Sequence, residues 1–273
     1  MDRISLIALL LVAAQSCSLV LEDRQECPAF VFFQREDGSE PGDFDRVWVK
    51  VTDGETLEEL SADDPLLEKM CSESYSLEIP KREEIMTFGI TGARVSTLQG
   101  TELILPPGYQ GDPIYRFWKK DRLTGEEFHV PLRFIKEFCR MTVVFKQDKD
   151  PFPYDVVVSA NTCGMDISTG VPIQGPFRYS PPAAEPGVFR FTVPRQGDYT
   201  LTLELWKPAD STTGKAEEHA EDLVLWNALQ SIKGFSWAME NLPDLTLEID
   251  YVRASVTVLI NDWDISSSTD YLL

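Results

Sequence analysis

Two alternating runs near the C-terminus decide the fold: residues 245–251 read Leu-Thr-Leu-Glu-Ile-Asp-Tyr, and residues 255–260 read Ser-Val-Thr-Val-Leu-Ile. In both runs an apolar side chain recurs at every second position. Successive side chains of a β-strand point to opposite faces of the sheet, so this period of two predicts a half-buried strand. The β-branched residues in these runs favour the same structure.

The same alternation extends through much of the chain, at residues 47–51 and 199–206 for example, and Pro and Gly punctuate it at 106–108, 151–153 and 181–182. Regularly punctuated strands predict an all-β protein, built as a sandwich or a barrel with few short helices. Leu57–Met70 could hold one or two helical turns. Glu217–Ile232 suits either a helix or a buried strand, because its apolar run fits both periods.

One weak internal repeat relates Leu77–Ile85 to Phe191–Tyr199, since both read apolar-x-apolar-Pro-basic-x-x-acid-apolar. Pro ends a strand because it cannot donate a ladder hydrogen bond, and the polar residues after it favour a turn into a returning strand. Chance similarity is the alternative explanation. If the repeat is real, two sandwich domains in tandem account for it, and we place them at residues 28–135 and 136–273.

The N-terminus predicts export. A short charged start precedes an apolar run at residues 4–14, which is the composition of a secretory signal peptide over residues 1–16. The run is too short to span a membrane. Cys17 stands where a bacterial lipoprotein accepts its lipid, so we expect lipidation there, followed by a tether over residues 17–27. An ordinary signal peptide with a chance cysteine is the alternative.

The strong negative charge of the chain disfavours nucleic acid and anionic lipid headgroups as partners. The chain carries a formal net charge of −20, and 43% of its residues are hydrophobic, enough to fill real cores. Nucleic acid is a poor partner because binding it needs basic surface, and anionic lipid headgroups would be repelled for the same reason. A lipid on Cys17 would therefore do the anchoring in the membrane.

Without Cys17, four cysteines remain: Cys27, Cys71, Cys139 and Cys163. An even number in an exported protein suits disulfides, and we expect Cys27–Cys71 and Cys139–Cys163, one bridge in each domain. Four buried free thiols are an equally weighted alternative, because cysteine is also a small apolar core residue. No Cys-x-x-Cys pair occurs in the sequence, so a zinc site is not expected.

The sequence contains no recognisable catalytic motif. A G-x-S-x-G elbow, a P-loop and an H-E-x-x-H motif are all missing from it. His129 suits a solvent-facing strand position better than a catalytic base, and Asp262-Trp263-Asp264 suits the end of a strand better than a cation or sugar site. We therefore expect neither an enzyme nor a bound cofactor or metal.

Short motifs along the mature chain carry a family resemblance. Cys17 is followed by an acidic spacer and a Cys-Pro pair at 27–28, residues 132–145 join Leu-Arg to Cys-Arg-Met-Thr-Val-Val-Phe, and residues 237–263 carry Trp-Ala, Asn-Leu-Pro-Asp and Asn-Asp-Trp. This pattern resembles the fimbrial anchor lipoproteins of the Bacteroidales, the minor subunits at the base of a pilus. The region around Val47–Leu60 matches more loosely, so a sister group of surface lipoproteins is an alternative.

The resemblance implies two tandem transthyretin-like Greek-key β-sandwiches, a lipid anchor in the outer membrane and assembly with stalk or accessory pilins by strand complementation. The tail after Ile260 is short and polar, without a sustained period of two. We therefore expect this subunit to accept a strand and not to donate one, and to cover its own open edge until a partner arrives. A surface lipoprotein that binds a glycan or host ligand through exposed loops is the competing hypothesis.

Overall fold

The computed structural model describes residues 28–35, 46–51, 57–60, 76–80, 84–123, 125–146, 152–209, 212, 214–250, 255–261 and 268–272. They form strands joined by turns, with one six-residue helix. The strands are β1 Pro28–Arg35, β2 Arg46–Val51, β3 Leu57–Leu60, β4 Leu77–Pro80, β5 Glu84–Thr91, β6 Thr97–Gln99, β7 Glu102–Ile104, β8 Tyr115–Arg122, β9 Glu127–Leu132, β10 Ile135–Lys136, β11 Phe138–Lys146, β12 Asp155–Asp166, β13 Pro172–Tyr179, β14 Ala183–Glu185, β15 Val188–Pro194, β16 Thr202–Lys207, β17 Glu218–Val224, β18 Asp244–Asp250, β19 Ser255–Asn261 and β20 Ser268–Leu272; helix α1 spans Trp226–Ser231. The predicted all-β class is confirmed.

The strands of the described chain form four sheets in two groups. The first group has a three-stranded sheet ordered β4-β1-β9 and a five-stranded sheet ordered β10-β8-β5-β2-β3. The second has two six-stranded sheets, ordered β14-β15-β11-β18-β19-β20 and β17-β16-β12-β7-β6. Strand β13 pairs with β12 off this path.

A continuous core lies between the two six-stranded sheets. Strand β11 shows the principle: Cys139, Met141, Val143 and Phe145 are buried, while Arg140 between them is exposed. These side chains join those of β15, β18 and β19 from the same sheet and those of β12, β16 and β17 from the other in one hydrophobic cluster. Burial of alternate residues from two facing sheets is the packing of a β-sandwich. Helix α1 contributes Ala228 and Leu229 to the same cluster.

The two groups of sheets share one connectivity, and the sequence repeat falls on equivalent strands. Strand β1 pairs antiparallel with β4 and parallel with β9, just as β11 pairs antiparallel with β15 and parallel with β18. Likewise β5 lies between β2 and β8, as β16 lies between β12 and β17. The repeated Pro residues end β4 and β15, the equivalent strands. The repeat is therefore structural, and the fold consists of two tandem β-sandwich units.

One hairpin crosses the domain boundary that we place at residue 136. Strands β6 and β7 lie within residues 28–135, but β7 pairs antiparallel with β12 in a six-stranded sheet. A small core covers this crossing, where Phe88 and Ile90 of β5 meet Leu103 of β7, Met165 of β12, Ile114 and Ile167. The division of the chain at residues 135 and 136 stays a prediction, and this hairpin belongs to the sheet beyond it.

Two local predictions need correction or refinement. The first four residues of the Leu57–Met70 run form strand β3, which pairs antiparallel with β2, and not a helical turn. Residues 61–70 lie outside the described residues, so a helical turn there stays a prediction. The ambiguous run from Glu217 to Ile232 contains both alternatives: strand β17 is followed directly by helix α1. Among the described residues no helix is long and apolar enough to cross a bilayer.

Candidate functional site

The C-terminal segment forms the edge of a six-stranded sheet. Strand β20 pairs antiparallel with β19 along its length, from Ser255 opposite Leu272 to Leu259 opposite Ser268. Helix α1 lies beside both strands. A tail that lacks sustained alternation in sequence is therefore a strand, and it satisfies the main-chain groups of β19 that an open edge would leave unpaired.

Two other edge strands of the large sheets, β17 and β14, are protected in different ways. Strand β17 carries three acidic residues and His219, and most of its side chains are exposed. Strand β14 has only three residues, and Pro182 and Pro186 flank it. Charge, shortness and flanking proline all discourage pairing with another chain. The β19–β20 pair differs, because an added segment of the same chain covers β19.

A cleft of about 430 Å³ opens where the two groups of sheets meet. The β12–β13 turn, the segment after β15 and the loop at residues 235–241 supply most of its wall. Arg116 of β8 and Glu137, between β10 and β11, lie at its base. The cleft therefore draws on residues from both sandwich units.

Beneath this cleft three charged side chains are buried together. Glu137 is only 2% exposed, and Arg116 and Arg195 are each 8% exposed. Arg116 Nε donates to Glu137 Oε1 at 2.7 Å, and Arg195 Nε donates to Glu137 Oε2. Buried charges are tolerated only when they are paired and hydrogen-bonded, so this Arg–Glu–Arg cluster depends on all three members.

Arg195 also organises the loop that forms one wall of the cleft. Its Nη1 donates to the carbonyl oxygens of Trp237 and Met239, and its Nη2 donates to those of Glu240 and Lys136. Five donors in a fixed planar fork make a guanidinium suited to gathering carbonyl oxygens from several segments. The loop at 236–240 is thus fixed to the strand junction by one side chain.

The β12–β13 turn covers Arg116 and is stabilised by Asp166. Asp166 Oδ1 accepts from Ser168 N and Thr169 N at 2.9 Å each, and Thr101 Oγ1 donates to Oδ2 at 2.8 Å. Partial burial works to raise the pKa of Asp166, but these bonds and one from the Ser168 hydroxyl outweigh it, so that pKa lies below its ordinary value. Gly170 ends the turn at φ +75°, and a Cβ there would collide with the Arg116 guanidinium.

The predicted cysteine sites divide between described and undescribed residues. Cys17, Cys27 and Cys71 lie outside the described residues, so lipidation and the Cys27–Cys71 bridge stay predictions. Cys139 and Cys163 are both free thiols, so the expected bridge between them is not formed. Cys139 faces the sandwich core from β11, whereas Cys163 is on β12 in the opposite sheet, with its sulfur against Gly175 of β13.

The environment of Cys139 explains its chemistry. Complete burial, reinforced by the negative charge of Asp244, raises the pKa of its thiol strongly. The thiol therefore stays protonated, and Cys139 behaves as an apolar core residue. This matches the alternative hypothesis of buried free thiols for this residue.

The histidines show no catalytic arrangement in the described chain. His129 is exposed on β9, as expected, where it stacks on Phe32 and bonds Gln34. His219 contacts Asp222 at 2.8 Å on the exposed face of β17. Among the described residues no group of three or more His, Cys, Asp or Glu side chains could hold a metal ion. Residues 262–264 lie outside the described ranges.

Sequence reasoning missed the Arg–Glu–Arg cluster. Its members are 21 and 58 residues apart along the chain, so no local motif joins them. Neither charge stands out from its neighbours, because Glu137 follows Lys136 and Arg195 begins the polar run at residues 195–198. The local sequence therefore indicates neither the burial of these charges nor their partners.

Comparisons with solved structures define the class of fold. The chain superposes on a candidate polysaccharide-binding protein of Bacteroides thetaiotaomicron with a TM-score of 0.60 and 14% identity, over 91% of this chain and 98% of that one. It superposes on the fimbrial anchor protein Mfa2 of Porphyromonas gingivalis with a TM-score of 0.55 and 13% identity, over 88% and 100%. A candidate adhesin of Bacteroides thetaiotaomicron gives 0.55 and 11%, over 87% and 97%.

The fold is therefore the tandem β-sandwich of these fimbrial and adhesin-type proteins, over nearly the whole of each one's length. No protein-family model and no curated protein sequence matches the chain. At 11–14% identity the likeness establishes the fold, and the family suggested by the sequence motifs stays a prediction.

Proposed function

We propose that this protein is an anchor or accessory subunit of a fimbrium, held in the outer membrane by lipid on Cys17, and that it accepts a strand from a partner pilin. The observation that carries this proposal is the position of β20. Because β20 is paired along β19 within its own sheet, this segment is not available to a partner while it stays there. The same strand covers an edge that a partner could use.

The proposed exchange takes place at β19. Val256 and Ile260 of this strand point into the sandwich core, so β19 is held in place independently of β20. Strand addition supplies affinity through main-chain hydrogen bonds along an edge. A donor strand from a stalk pilin would replace β20 along the register that β20 now occupies. Until then β20 protects the edge from aggregation.

A reversible lock on β20 tests this proposal. Thr257 of β19 lies opposite Asp270 of β20, so Cys introduced at both positions should bridge the two strands under oxidising conditions. Cells that carry T257C/D270C should make fimbriae that fail to attach to the surface until a reductant opens the bridge. Electron microscopy of shed and attached fimbriae measures the effect.

The matched control is a lock between strands that need not separate. Thr246 of β18 lies opposite Leu259 of β19, and T246C/L259C should leave attachment intact. Normal attachment with a fully oxidised T257C/D270C bridge would rule out exchange at β19.

The proposed anchor is tested separately at Cys17. Metabolic labelling with a fatty-acid analogue should tag the wild-type protein, and Cys17→Ala should lose the label and leave the membrane fraction. Cys139→Ala is the matched cysteine control, which should keep the label. A wild-type chain that stays unlabelled and soluble would refute the lipid anchor.

A further inference from the structure

The junction cleft has the size and wall of a small-ligand site. Its volume of about 430 Å³ lies in the range of ligand pockets, roughly 300–1,000 Å³. Turns and loops provide most of the wall, whereas an extended peptide would be expected along a strand edge. The dimensions fit a compact ligand such as one or two sugar rings.

Arg116 offers hydrogen-bond donors to this cleft. Its Nε is used by Glu137, but neither Nη nitrogen has a hydrogen-bond partner among the described residues. The side chain is only 10% exposed, and its guanidinium lies against Gly170, which also lines the cleft. A nearly buried guanidinium with open Nη groups is a positioned donor and not a solvated surface charge.

The cleft wall also contains hydrogen-bond acceptors and two hydroxyls. Within the described chain, Gln196 Oε1, an acceptor, and Trp237 Nε1, a donor, have no partner, but both atoms are buried behind the cleft surface. Asp198 Oδ1 accepts from Thr200 N at 3.0 Å and from Thr200 Oγ1 at 2.5 Å, and the carboxylate places a charged acceptor on the cleft wall. The Tyr199 and Ser236 hydroxyls are 3.5 Å apart, which leaves both with capacity for another bond.

The combination of hydrogen-bond donors and acceptors on the cleft wall determines which kind of ligand fits. Phosphate and carboxylate groups only accept hydrogen bonds, so they would match Arg116 but not Asp198. A hydroxyl group both donates and accepts, and several hydroxyls on one ring can meet donors and acceptors at once.

The charges on the cleft wall also favour a ligand with hydroxyl groups over an anion. Arg116 and Arg195 are offset by Glu137, Asp198 and Glu240 in the cleft, and the chain as a whole carries −20. An uncharged polyol therefore fits better than an anion.

We propose that this cleft binds a neutral saccharide, with Arg116 Nη groups donating to ring hydroxyls and Asp198, Tyr199 and Ser236 contacting hydroxyls on the other side. The site lies apart from β19 and β20, so it does not depend on strand exchange. It would give a subunit of a surface fibre a second role as a sugar receptor.

The test is titration of the intact mature protein with neutral oligosaccharides. Maltotriose, chitobiose, N-acetyllactosamine and mannotriose serve as probes, with a uronic-acid disaccharide and a tripeptide for comparison; amide chemical shifts report the site and calorimetry the affinity. At least one neutral probe should bind saturably and shift the amides of Gly197, Tyr199 and Ser236. Charged hydrogen bonds contribute about 1.5–3 kcal/mol, so Arg116→Lys should weaken binding roughly 10- to 100-fold.

Matched variants separate binding from folding. Tyr199→Phe removes one neutral hydrogen bond and should weaken binding by about 2- to 10-fold. Arg178→Lys and Tyr109→Phe change exposed residues outside this cleft and should leave affinity within about twofold. If Arg116→Lys fails to fold, Tyr199→Phe and the wild-type shift map decide the result. The proposal is overturned if no neutral probe binds the folded protein, if the shifts lie elsewhere, if Tyr199→Phe has no effect, or if the uronic acid or the tripeptide is preferred.

Discussion

At the scale of single residues, the most unusual positions are three charged side chains that are buried together. One carboxylate oxygen of Glu137 accepts a hydrogen bond from Arg116 on β8. The other accepts a hydrogen bond from Arg195, which follows β15. Its backbone takes part as well, since Glu137 N donates to Ile114 O at 3.0 Å and Arg195 N donates to Glu137 O at 2.9 Å. One residue thus links both sandwich units to the loop that Arg195 holds.

Removing the charge of Glu137 should destabilise the whole protein. Glu137→Gln leaves two buried guanidinium groups with one carboxylate too few, and breaking such a pair costs about 3–5 kcal/mol. Chemical denaturation measures the loss. Glu248→Gln is the matched control because its pair with Lys146 is at the surface, where the cost should stay below about 1 kcal/mol. Equal effects of the two variants would contradict the structural role of the buried cluster.

Asp166 predicts how stability responds to acid. Its pKa is lowered in the folded state from an ordinary value of 3.8, so the unfolded chain binds the proton more readily. Its contribution is therefore complete above that ordinary pKa and is lost as the pH falls through the lower folded pKa. We expect Asp166→Asn to lower the free energy of unfolding by about 1–3 kcal/mol at pH 7. Below pH 4 the stability of this variant should fall less steeply with pH than that of the wild type, as measured by denaturation across that range.

The control for Asp166→Asn is Glu185→Gln. Glu185 pairs with Arg190 on an exposed edge, and both side chains are more than half exposed. The stability of this variant should fall below pH 4 as steeply as that of the wild type. A fall of wild-type slope in Asp166→Asn would show that the turn contributes nothing to pH dependence.

At the scale of elements, β20 is the strand whose position bears on function. Its neighbour β19 pairs with β18 on the other side over seven residues, whereas β20 meets β19 over five. An edge strand held by one neighbour is easier to displace than an interior strand held by two. The geometry therefore favours β20 as the exchangeable element.

Deletion of residues 268–273 should leave a folded protein that still attaches the fibre. The core strands are unchanged by the deletion, and the uncovered β19 edge should pair with donor strands or with a second copy. Circular dichroism checks folding, size-exclusion chromatography checks self-association, and microscopy checks attachment. A folded variant that no longer supports attachment or polymerisation would identify β20 as a donor strand instead.

At the scale of the whole molecule, the two sandwich units are joined by more than a linker. The β6–β7 hairpin extends the sheet that contains β12, and Leu103 of this hairpin packs with Phe88 and Ile90 of β5. Shared apolar burial of this kind couples elements that would otherwise open independently. We expect the two units to unfold together.

Leu103→Ala tests this coupling. Loss of a buried Leu side chain costs about 2–5 kcal/mol through lost transfer energy and the cavity left behind. Hydrogen exchange should show faster opening of β5 and β12 together. Leu223→Ala, on β17 at the far side of the large core, should speed the opening of β5 as well as that of β16 and β12, because the two units are expected to unfold together. If Leu103→Ala leaves β5 unchanged, the units are energetically independent.

The sequence by itself determined the strands and the class of fold. Alternation places core residues on one face of each strand because backbone geometry alone repeats every two residues. The runs at 245–251 and 255–260 are therefore strands β18 and β19 over most of their length, and the Pro-ended repeat lies on β4 and β15. The same local logic fails at Leu57–Leu60 and at the tail, where pairing with a neighbouring strand decides the conformation.

Only the tertiary structure decided the long-range arrangement. Sequence spacing could not show that Arg116 and Arg195 meet at Glu137, that β6 and β7 cross into the second unit, or that Cys139 and Cys163 remain apart. Each of these depends on which faces are buried against each other and in which register. The register between strands depends on the burial of many side chains together, so it cannot be predicted from a short stretch of sequence.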